Sequence, residues 1–210
     1  MPSEIITGLK FGSIGERAVH LCIDMQLMFA TGTKWSSPAI GKALPAIRSI
    51  CDRFAAKTIF TRFICPHNLG QTKGQWTRFY AESSSMLCDV MDPAMLGLLP
   101  ELQEFCPPAA IVDRQVFSAF ASPELRTLLA ERSIDTLVIS GLETDVCVLA
   151  TTLSAIDRGY RVILARDALA SSNAEGHSAA LEGVFPRFDQ QIELIGTETL
   201  LREWSLTKKS

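Results

Sequence analysis

A cysteine stands where an apolar, strand-like stretch gives way to an apolar helical pattern. Residues 139–148 stop being strand-like at Gly141, which places Cys147 in the first turn of the helix that follows. The first turn of a helix offers unpaired backbone N–H groups and the positive end of the helix dipole, which favour a thiolate and can hold an oxyanion. We therefore predict that Cys147 is a nucleophile with a pKa below that of an ordinary cysteine.

Two charged residues close other predicted strands. Asp24 ends the apolar run 18–24, and Arg114 ends the run 110–114. Ligands of open parallel sheets bind beyond the carboxyl ends of the strands, so we expect Asp24, Arg114 and Cys147 to converge at one edge. Taken singly, Asp24 could instead cap a nearby backbone segment and Arg114 could form a surface ion pair, since most charged residues are solvated.

Short apolar runs alternate with longer amphipathic stretches along the chain. The runs that have the pattern of strands are 18–24, 58–63, 110–114, 136–142, 161–168 and 191–195. Helical spacing is found in 38–56, 123–133, 145–159 and 173–184, with N-cap signals at Ser122-Pro123 and Ser172-Asn173. Strands that alternate with helices predict an α/β fold of three layers, α/β/α, around a six-stranded parallel sheet.

The composition favours one globular domain, residues 1–210. Of the 210 residues, 47% are hydrophobic and 20% are charged, which suits one substantial core and shows no bias towards disorder. The net charge is -3, and the lysines and arginines are scattered. This pattern argues against a nucleic-acid or anionic-membrane surface, so we expect a small molecule or another subunit as the partner.

The cysteines and the N-terminal sequence indicate a cellular compartment. The six cysteines contain no CxxC pair and fit neither a zinc site nor a disulfide framework. Five of them suit ordinary buried positions, namely Cys22, Cys51, Cys65, Cys88 and Cys106. The sequence has neither a signal-peptide pattern nor an apolar run of the roughly 18 residues that span a bilayer. We expect a soluble protein of the reducing cytoplasm.

The segment 64–100 interrupts the alternation of strands and helices. It is rich in Pro, Gly, Ser and aromatic residues, with a short helical possibility at 75–81. Loops of this length in compact domains are usually lids or binding loops. The side chains suited to a small polar or planar ligand are Arg62, His67, Trp76, Arg78, Phe79 and Tyr80, and we assign Arg62, His67, Trp76 and Phe79 to the substrate site.

Three blocks of sequence together resemble the isochorismatase-like cysteine hydrolases. They are CIDMQ at 22–26, VDRQVFSAF at 112–120 and GLETDVCV at 141–148. That family includes nicotinamidases, isochorismatases, and hydrolases of N-carbamoylsarcosine, ureidoacrylate, maleamate and biuret. The resemblance implies a Rossmann-like single domain with six parallel strands that acts on a small molecule. We expect no cofactor.

The resemblance also implies a catalytic trio of aspartate, lysine and cysteine at the strand ends. Asp24 and Cys147 occupy two of these positions. In the family the aspartate takes the thiol proton, the thiolate attacks an amide carbonyl, ammonia or an amine leaves, and water hydrolyses the thioester. The implied oxyanion hole consists of the backbone N–H groups of Cys147 and of Glu143, which would follow a non-proline cis peptide bond.

The chain departs from the family at the third member of the trio, where Arg114 replaces the lysine. A guanidinium group can hold a carboxylate and favour a nearby thiolate, but it is bulkier, stays protonated and relays a proton less readily. Two interpretations follow. Either the lysine acts mainly through its charge, or the chemistry of this protein is weakened or altered.

A second departure concerns metal binding. Nicotinamidases carry an Asp-x-His arrangement after the second strand, with further histidines beyond it, whereas this chain has no carboxylate between Arg62 and His67. His67 and the neighbouring Cys65 do not make a usual metal site, which has three or four ligands, so we expect no metal ion. We expect His20 and His177 to pack or cap and not to catalyse.

The leading hypothesis is hydrolysis of a small amide, ureido or carbamoyl substrate through a thioester on Cys147. One alternative is hydrolysis of a vinyl ether such as isochorismate, which would use the aspartate as an acid and need no thiol. The other is a catalytically weakened small-molecule binder, which Arg114 suggests. We also expect a homodimer or homotetramer, in which neighbouring subunits could close the pocket.

Overall fold

The computed structural model describes residues 9–204. Its strands are β1 (Ala18–Ile23), β2 (Thr58–Phe63), β3 (Ala110–Arg114), β4 (Thr136–Gly141), β5 (Arg161–Leu169) and β6 (Ile192–Ile195). They form one sheet in the order β3-β2-β1-β4-β5-β6, and every neighbouring pair is parallel. Each strand boundary lies within one residue of the prediction, and the predicted parallel sheet is confirmed.

The α-helices of the described chain lie between and after the strands. They are α1 (Leu27–Ala30), α2 (Ile40–Phe54), α3 (Gln75–Glu82), α4 (Pro100–Gln103), α5 (Pro123–Glu131), α6 (Leu149–Ile156), α7 (Ala174–Ala179) and α8 (Thr197–Glu203). Within residues 9–204, none of these helices combines the length and the apolar character that a bilayer crossing requires.

The sheet separates two apolar layers. Strand β1 is fully buried and alternates between them, with Ala18 and Cys22 on one face and Val19, Leu21 and Ile23 on the other. Helices α2 and α8 pack on the first face, and α5 and α6 pack on the second. A central strand buried on both faces is the arrangement expected of a parallel sheet covered by helices, so the predicted three layers are present.

Two of the predicted helices contain a π-helical turn. The helix predicted at 145–159 opens with a π-helical turn at Thr144–Val148, and the one predicted at 173–184 closes with another at Ala180–Val184. A single π turn shifts the residue period only slightly, so hydrophobic spacing does not distinguish it from an α turn. Helices α1, α4 and α8 were not predicted, and two of them are single turns with little periodicity to read.

The predicted N-caps are confirmed at Ser122 and Asn173. The side chain of each accepts a hydrogen bond from the backbone N–H three residues later, at 3.4 and 3.0 Å respectively. Ser172 does not cap α7, because its hydroxyl instead donates to the carboxylate of Glu143 at 2.8 Å. This contact ties the start of α7 to the loop that precedes Cys147.

The segment 64–100 is anchored to the core and contains α3. Tyr80, Met86 and Leu98 are buried in the apolar layer that holds α2. The buried Gln26 fastens the segment to the end of β1, because its side-chain amide donates to the carbonyl oxygen of Leu96 at 2.9 Å. This part of the chain therefore forms a packed wall beside the strand ends.

His20 lies in the interior of β1, as expected for a packing residue. Its two ring nitrogens are 3.1 Å from the hydroxyl of Thr58 and 2.7 Å from that of Ser140. Burial lowers the pKa of His20 to about 3. The histidine is therefore neutral near pH 7 and joins β1 to both neighbouring strands.

The prediction that five cysteines are buried packing residues is confirmed for three of them, and the other two are half-buried. Cys22, Cys51 and Cys65 are buried, while Cys88 and Cys106 are half-buried against the same apolar layer as α2. All six cysteines, including Cys147, are free thiols.

Candidate active site

Asp24 follows β1 directly and turns its carboxylate into the protein. Its backbone is left-handed, with φ 55°, a conformation that Asp tolerates better than most residues. The carboxylate accepts a hydrogen bond from the hydroxyl of Thr61 at 2.8 Å, and the backbone N–H donates to the carbonyl of Thr61 at 3.2 Å. Strand β2 thus fixes both the backbone and the side chain of the aspartate.

Arg114, the last residue of β3, reaches across the end of β2 to Asp24. Its Nη2 donates to Asp24 Oδ2 and lies 3.3 Å from the carbonyl oxygen of Phe117. Both charged side chains are only 1% exposed. The Cζ atom of Arg114 lies 5.0 Å from the ring centroid of Phe63, an arrangement that favours a buried cation.

Part of the guanidinium group is left without an acceptor. Among the described residues, Nε and Nη1 of Arg114 are buried and have no hydrogen-bond partner. Unpaired buried donors are costly. These N–H groups are therefore available to an anion that forms at the site.

Cys147 lies in the π-helical turn after β4 and borders a cavity. The residue is 6% exposed. Burial raises the pKa of Cys147 well above its ordinary value, the carboxylate of Asp24 raises it further, and the guanidinium of Arg114 lowers it only in part. The sequence-based expectation of a lowered pKa is therefore wrong for the resting site, because loss of water outweighs the helix start and the arginine.

The pKa of Asp24 is raised, as is that of Cys147. Burial raises the pKa of Asp24, although Arg114 and the hydroxyl of Thr61 both act to lower it. A carboxylate with a raised pKa is a stronger base than an exposed one. Asp24 is therefore suited to take a proton from the equally buried thiol of Cys147.

The loop between β4 and Cys147 has the backbone form that the resemblance implies. The Leu142–Glu143 peptide bond is cis. The Glu143 carbonyl accepts hydrogen bonds from the N–H groups of Val146 and Val148, each at 3.0 Å, while the Glu143 N–H has no acceptor among residues 9–204. Gly141 has φ 107°, and a Cβ there would overlap the backbone of Ile23.

The cavity beside Cys147 has a volume of about 400 Å³ and is walled mainly by aromatic rings. The rings that line it are those of Phe29, Trp35, Phe63, Phe79 and Phe117. Rings of this kind pack against flat apolar groups and attract cations to their faces. The cavity therefore suits a small planar molecule.

Polar groups occupy a smaller part of the lining. Besides Cys147 they are Lys34, Ser36, Glu143 and Ser172. The Glu143 carboxylate accepts hydrogen bonds from the backbone N–H of Ser172 at 3.1 Å and from its hydroxyl at 2.8 Å. The Lys34 ammonium donates to the carbonyl of Glu82 at 2.7 Å, at the end of α3.

Of the four residues assigned to substrate binding, one lines the cavity and one packs behind its wall. Phe79 lines it. Trp76 does not line it but packs behind it, with its ring centroid 5.4 Å from that of Phe79 and 5.0 Å from that of Phe117. Trp76 therefore supports the wall.

Arg62 and His67, which were also assigned to substrate binding, do not line the cavity. Arg62 pairs with Asp113 on β3 through two hydrogen bonds of 2.8 Å, since these residues face each other in the sheet register. The side chain of His67 is 66% exposed and pairs with Asp89 at 3.0 Å. Neither residue lines the cavity, because each has a carboxylate partner elsewhere.

Several lining residues were missed in the sequence. Lys34 and Trp35 lie in the connection after α1, and Phe117 lies three residues beyond Arg114. Phe29 and Phe63 also stand shortly after or at the end of a strand. The rule that ligands bind beyond strand ends favours Phe63 and Phe117 when it is applied to apolar residues as well as charged ones. Lys34 and Trp35 lie in a connection that has no distinguishing pattern.

The described residues offer little for metal coordination. Within residues 9–204, no three His, Cys, Asp or Glu side chains are grouped so that they could hold a metal ion. His177, which was expected to pack or cap, bonds through Nδ1 to the hydroxyl of Thr144 at 2.9 Å. It supports the loop before Cys147.

The chain is similar in sequence and in fold to known proteins. Residues 18–195 match the isochorismatase domain family. The uncharacterized isochorismatase family protein PncA of Bacillus subtilis (strain 168) is 35% identical over 123 residues, which are 58% of this chain and 58% of that protein. Nicotinamidase 3 of Arabidopsis thaliana is 29% identical over 167 residues, 78% of each protein. A cysteine hydrolase structure from Pseudomonas syringae pv. phaseolicola 1448A has a TM-score of 0.76 at 23% identity and covers 89% of this chain and 92% of its own.

The structural likeness shows the shared fold, and the family match extends from the first residue of β1 to the last residue of β6. The chain spans less than two thirds of the length of the Bacillus relative. The three sequence blocks that carry the resemblance lie inside the family match and supply Asp24, Arg114 and Cys147. This chain belongs to the isochorismatase family.

Proposed function

We propose that this protein is a cysteine hydrolase that cleaves a C–N bond of a small amide, ureido or carbamoyl compound through a thioester on Cys147. The observation that carries the proposal is the buried ion pair of Asp24 and Arg114 next to a thiol that opens onto an aromatic cavity. A buried carboxylate, a fixed cation and a cysteine are the groups that nucleophilic catalysis by a thiol requires.

The first step is proton transfer from Cys147 to Asp24. Before the transfer Arg114 and Asp24 carry opposite charges and the thiol is neutral; afterwards Asp24 is neutral and the thiolate carries the negative charge. The total buried charge is the same in both states, so the transfer brings no additional ion out of water. The unpaired N–H groups of Arg114 can then donate to the thiolate.

The thiolate next attacks the substrate carbonyl carbon and forms a C–S bond, while the carbonyl oxygen becomes an oxyanion. We assign the backbone N–H groups of Glu143 and Cys147 to this oxyanion. When the C–N bond breaks, Asp24 returns its proton to the nitrogen, and ammonia or an amine leaves. Water, deprotonated by Asp24, then attacks the thioester; the C–S bond breaks and an acid and the free thiol result.

The names of two relatives support a hydrolase of this kind. One is called a nicotinamidase and another a cysteine hydrolase. Arg114 fits the scheme as a source of charge, since it touches Asp24 and need not exchange a proton. We therefore propose that the arginine replaces the family lysine in its electrostatic role.

A screen of small amides and of ureido and carbamoyl compounds for ammonia release tests the proposal. We expect at least one compound to be hydrolysed, and Cys147→Ala to lower the rate by about a thousandfold or more, as loss of a nucleophile does. Cys88→Ala is the matched control, because Cys88 is half-buried outside the cavity. Equal rates for Cys147→Ala and the natural protein would refute the role of the thiol.

Hydrolysis of a vinyl ether such as isochorismate is the second candidate. The raised pKa of Asp24 favours it, since a protonated carboxyl can give its proton to the vinyl carbon. That reaction needs no thiol, so cleavage of a vinyl ether that survives Cys147→Ala would support it. Ligand binding with no turnover of either class would instead indicate a binder.

We also propose that the reaction needs no metal ion. The proposal rests on the donor set, because His67 is exposed and paired with Asp89, and Cys65 is buried. Within residues 9–204, no three His, Cys, Asp or Glu side chains are grouped as a metal site requires. Dialysis against a chelator is expected to leave the rate unchanged. Activity that is lost on chelation and restored by added zinc, iron or manganese would contradict this.

A further inference from the structure

Glu143 brings a fixed negative charge to the wall of the cavity. The residue is half-buried and is one of those that line the cavity. The two hydrogen bonds from Ser172, at 3.1 and 2.8 Å, hold it in place. A carboxylate has about four lone-pair sites, so two of them remain for a ligand.

The other charges around the cavity do not cancel this one. Asp24 and Arg114 neutralise each other in a direct ion pair. Lys34 is exposed and its ammonium is bound to the carbonyl oxygen of Glu82, so water screens its charge. Glu143 also lies four residues before Cys147, which puts the fixed negative charge in the segment that carries the thiol.

The aromatic lining of the cavity also favours cations over anions. The faces of Trp35, Phe63 and the other rings carry partial negative charge, which attracts cations and disfavours anions. This combination therefore favours a ligand that has a flat apolar body and an N–H donor and that lacks a carboxylate.

We propose that Glu143 sets the charge selectivity of the site, so that it takes flat aromatic primary amides that are neutral or cationic and rejects those bearing a carboxylate. This inference rests on the proposed amide hydrolysis and specifies its substrates. A substrate N–H or ammonium group would donate to the free lone pairs of Glu143, whereas a substrate carboxylate would face a like charge that cannot move away.

Three compounds with the same ring and the same scissile amide test this directly. They are benzamide, 4-(aminomethyl)benzamide and 4-carbamoylbenzoate, which are neutral, cationic and anionic. For the natural protein we expect kcat/KM for the cation to exceed that for the anion by about tenfold or more. Glu143→Gln keeps the backbone N–H and the size of the side chain, and we expect it to reduce this ratio by about tenfold, mainly through KM. Because the ratio is taken within one variant, a general loss of activity cancels.

Lys34→Gln is the matched control, since it removes the other charge at the cavity. We expect it not to reduce the ratio. An anion that is hydrolysed as well as benzamide, or a ratio unchanged by Glu143→Gln, would overturn the inference. So would a preference for the anion that disappears in Lys34→Gln.

A binding measurement separates this inference from the proposed function. Calorimetry of the three amides with Cys147→Ala, which cannot form a thioester, should give the same order of affinity. That order, with no hydrolysis of these amides or of any compound in the ammonia-release screen by the natural protein, would refute the proposed function and leave the selectivity standing. Absence of binding by all three amides, or equal affinities, would refute the selectivity.

Discussion

At the scale of single residues, the cation at position 114 is central to the proposed activation of the thiol. Arg114 is buried against Asp24 and Phe63, with two of its nitrogen atoms unpaired. Its charge lowers the pKa of Cys147, while burial and Asp24 raise it by more. The thiol is therefore protonated near pH 7, and the proposed reaction begins with transfer of its proton to Asp24.

Substitutions of Arg114 should distinguish the effect of its positive charge on activity from the effect of its size and shape. Arg114→Lys keeps the cation and is expected to retain substantial activity. Arg114→Ala removes the partner of a buried carboxylate, and we expect it to cost on the order of 2 to 4 kcal/mol of transition-state stabilisation, roughly thirty- to a thousandfold in kcat/KM. Arg62→Ala is the control, because Arg62 pairs with Asp113 outside the cavity. Equal activity of Arg114→Ala and Arg62→Ala would contradict the electrostatic role.

Asp24→Asn should make Cys147 more reactive towards alkylation and, at the same time, abolish hydrolysis. It removes the charge that raises the pKa of the thiol and leaves Arg114 unneutralised, so the pKa falls. We expect faster alkylation of Cys147 by iodoacetamide near pH 7, with loss of hydrolysis because the base is gone. The rate of labelling as a function of pH, followed by peptide mass, measures this. Slower labelling of the variant at every pH would contradict the conclusion that the charge of Asp24 raises the pKa of the thiol.

The sequence predicted the convergence of Asp24, Arg114 and Cys147, because strand ends follow from hydrophobic runs. It did not predict the pairing of Arg62 with Asp113 or of His67 with Asp89. Those pairs depend on the register of neighbouring strands and on the path of a loop, neither of which a residue pattern contains. The raised pKa of Cys147 was also beyond the pattern, since it arises mainly from tertiary burial.

At the scale of elements, the turn after β4 positions the proposed chemistry. Gly141 approaches the backbone of Ile23 so closely that any side chain would collide. Thr144 then bonds to the carbonyl of Ala170 through both its N–H and its hydroxyl, each at 2.9 Å. The end of β1 and the residue that follows β5 thus hold the loop that carries Glu143 and Cys147.

Gly141→Ala is expected to destabilise the protein by about 3 kcal/mol or more, since it combines backbone overlap with an unfavourable positive φ. Gly159→Ala isolates the second effect, because Gly159 has φ 82° with open space around it; about 1 kcal/mol is expected there. Urea unfolding of the two variants measures the difference. Equal losses of stability would mean that the close approach of β1 and β4 contributes nothing.

The strands and the longer helices were predictable because apolar periodicity extends over several turns or residues. The π-helical turn at Thr144–Val148 was not, because one altered turn leaves that periodicity almost intact. The aromatic wall was only partly predictable. Phe79 was found from the unusual segment 64–100, whereas Trp35 lies in a short connection that has no distinguishing pattern.

At the scale of the whole molecule, the sheet is held together partly by a buried histidine. His20 bonds to Thr58 on β2 and to Ser140 on β4. Its pKa is lowered from 6.5 to about 3 in the folded protein. Between these two values the unfolded chain binds a proton that the folded chain does not, so acid favours unfolding.

Stability should therefore fall as the pH drops from about 6.5 towards 3, and His20 should account for a definite part of the loss. The shift to about 3 corresponds to roughly 4 to 5 kcal/mol. His20→Gln has no such titration, and we expect its free energy of unfolding to depend less on pH across this window, even if the variant is less stable at pH 7. Chemical denaturation at several pH values gives the comparison. Parallel pH profiles would show that His20 contributes no linkage.

The most direct test of the account is to detect the thioester. The protein is mixed with a hydrolysed amide, quenched in acid within milliseconds, and examined by intact-protein and peptide mass spectrometry. We predict a mass increase equal to the acyl group minus one hydrogen, located on the peptide that contains Cys147, and absent from Cys147→Ala. Turnover of the amide with no acyl group on Cys147 at any quench time, together with full activity of Cys147→Ala, would contradict the account.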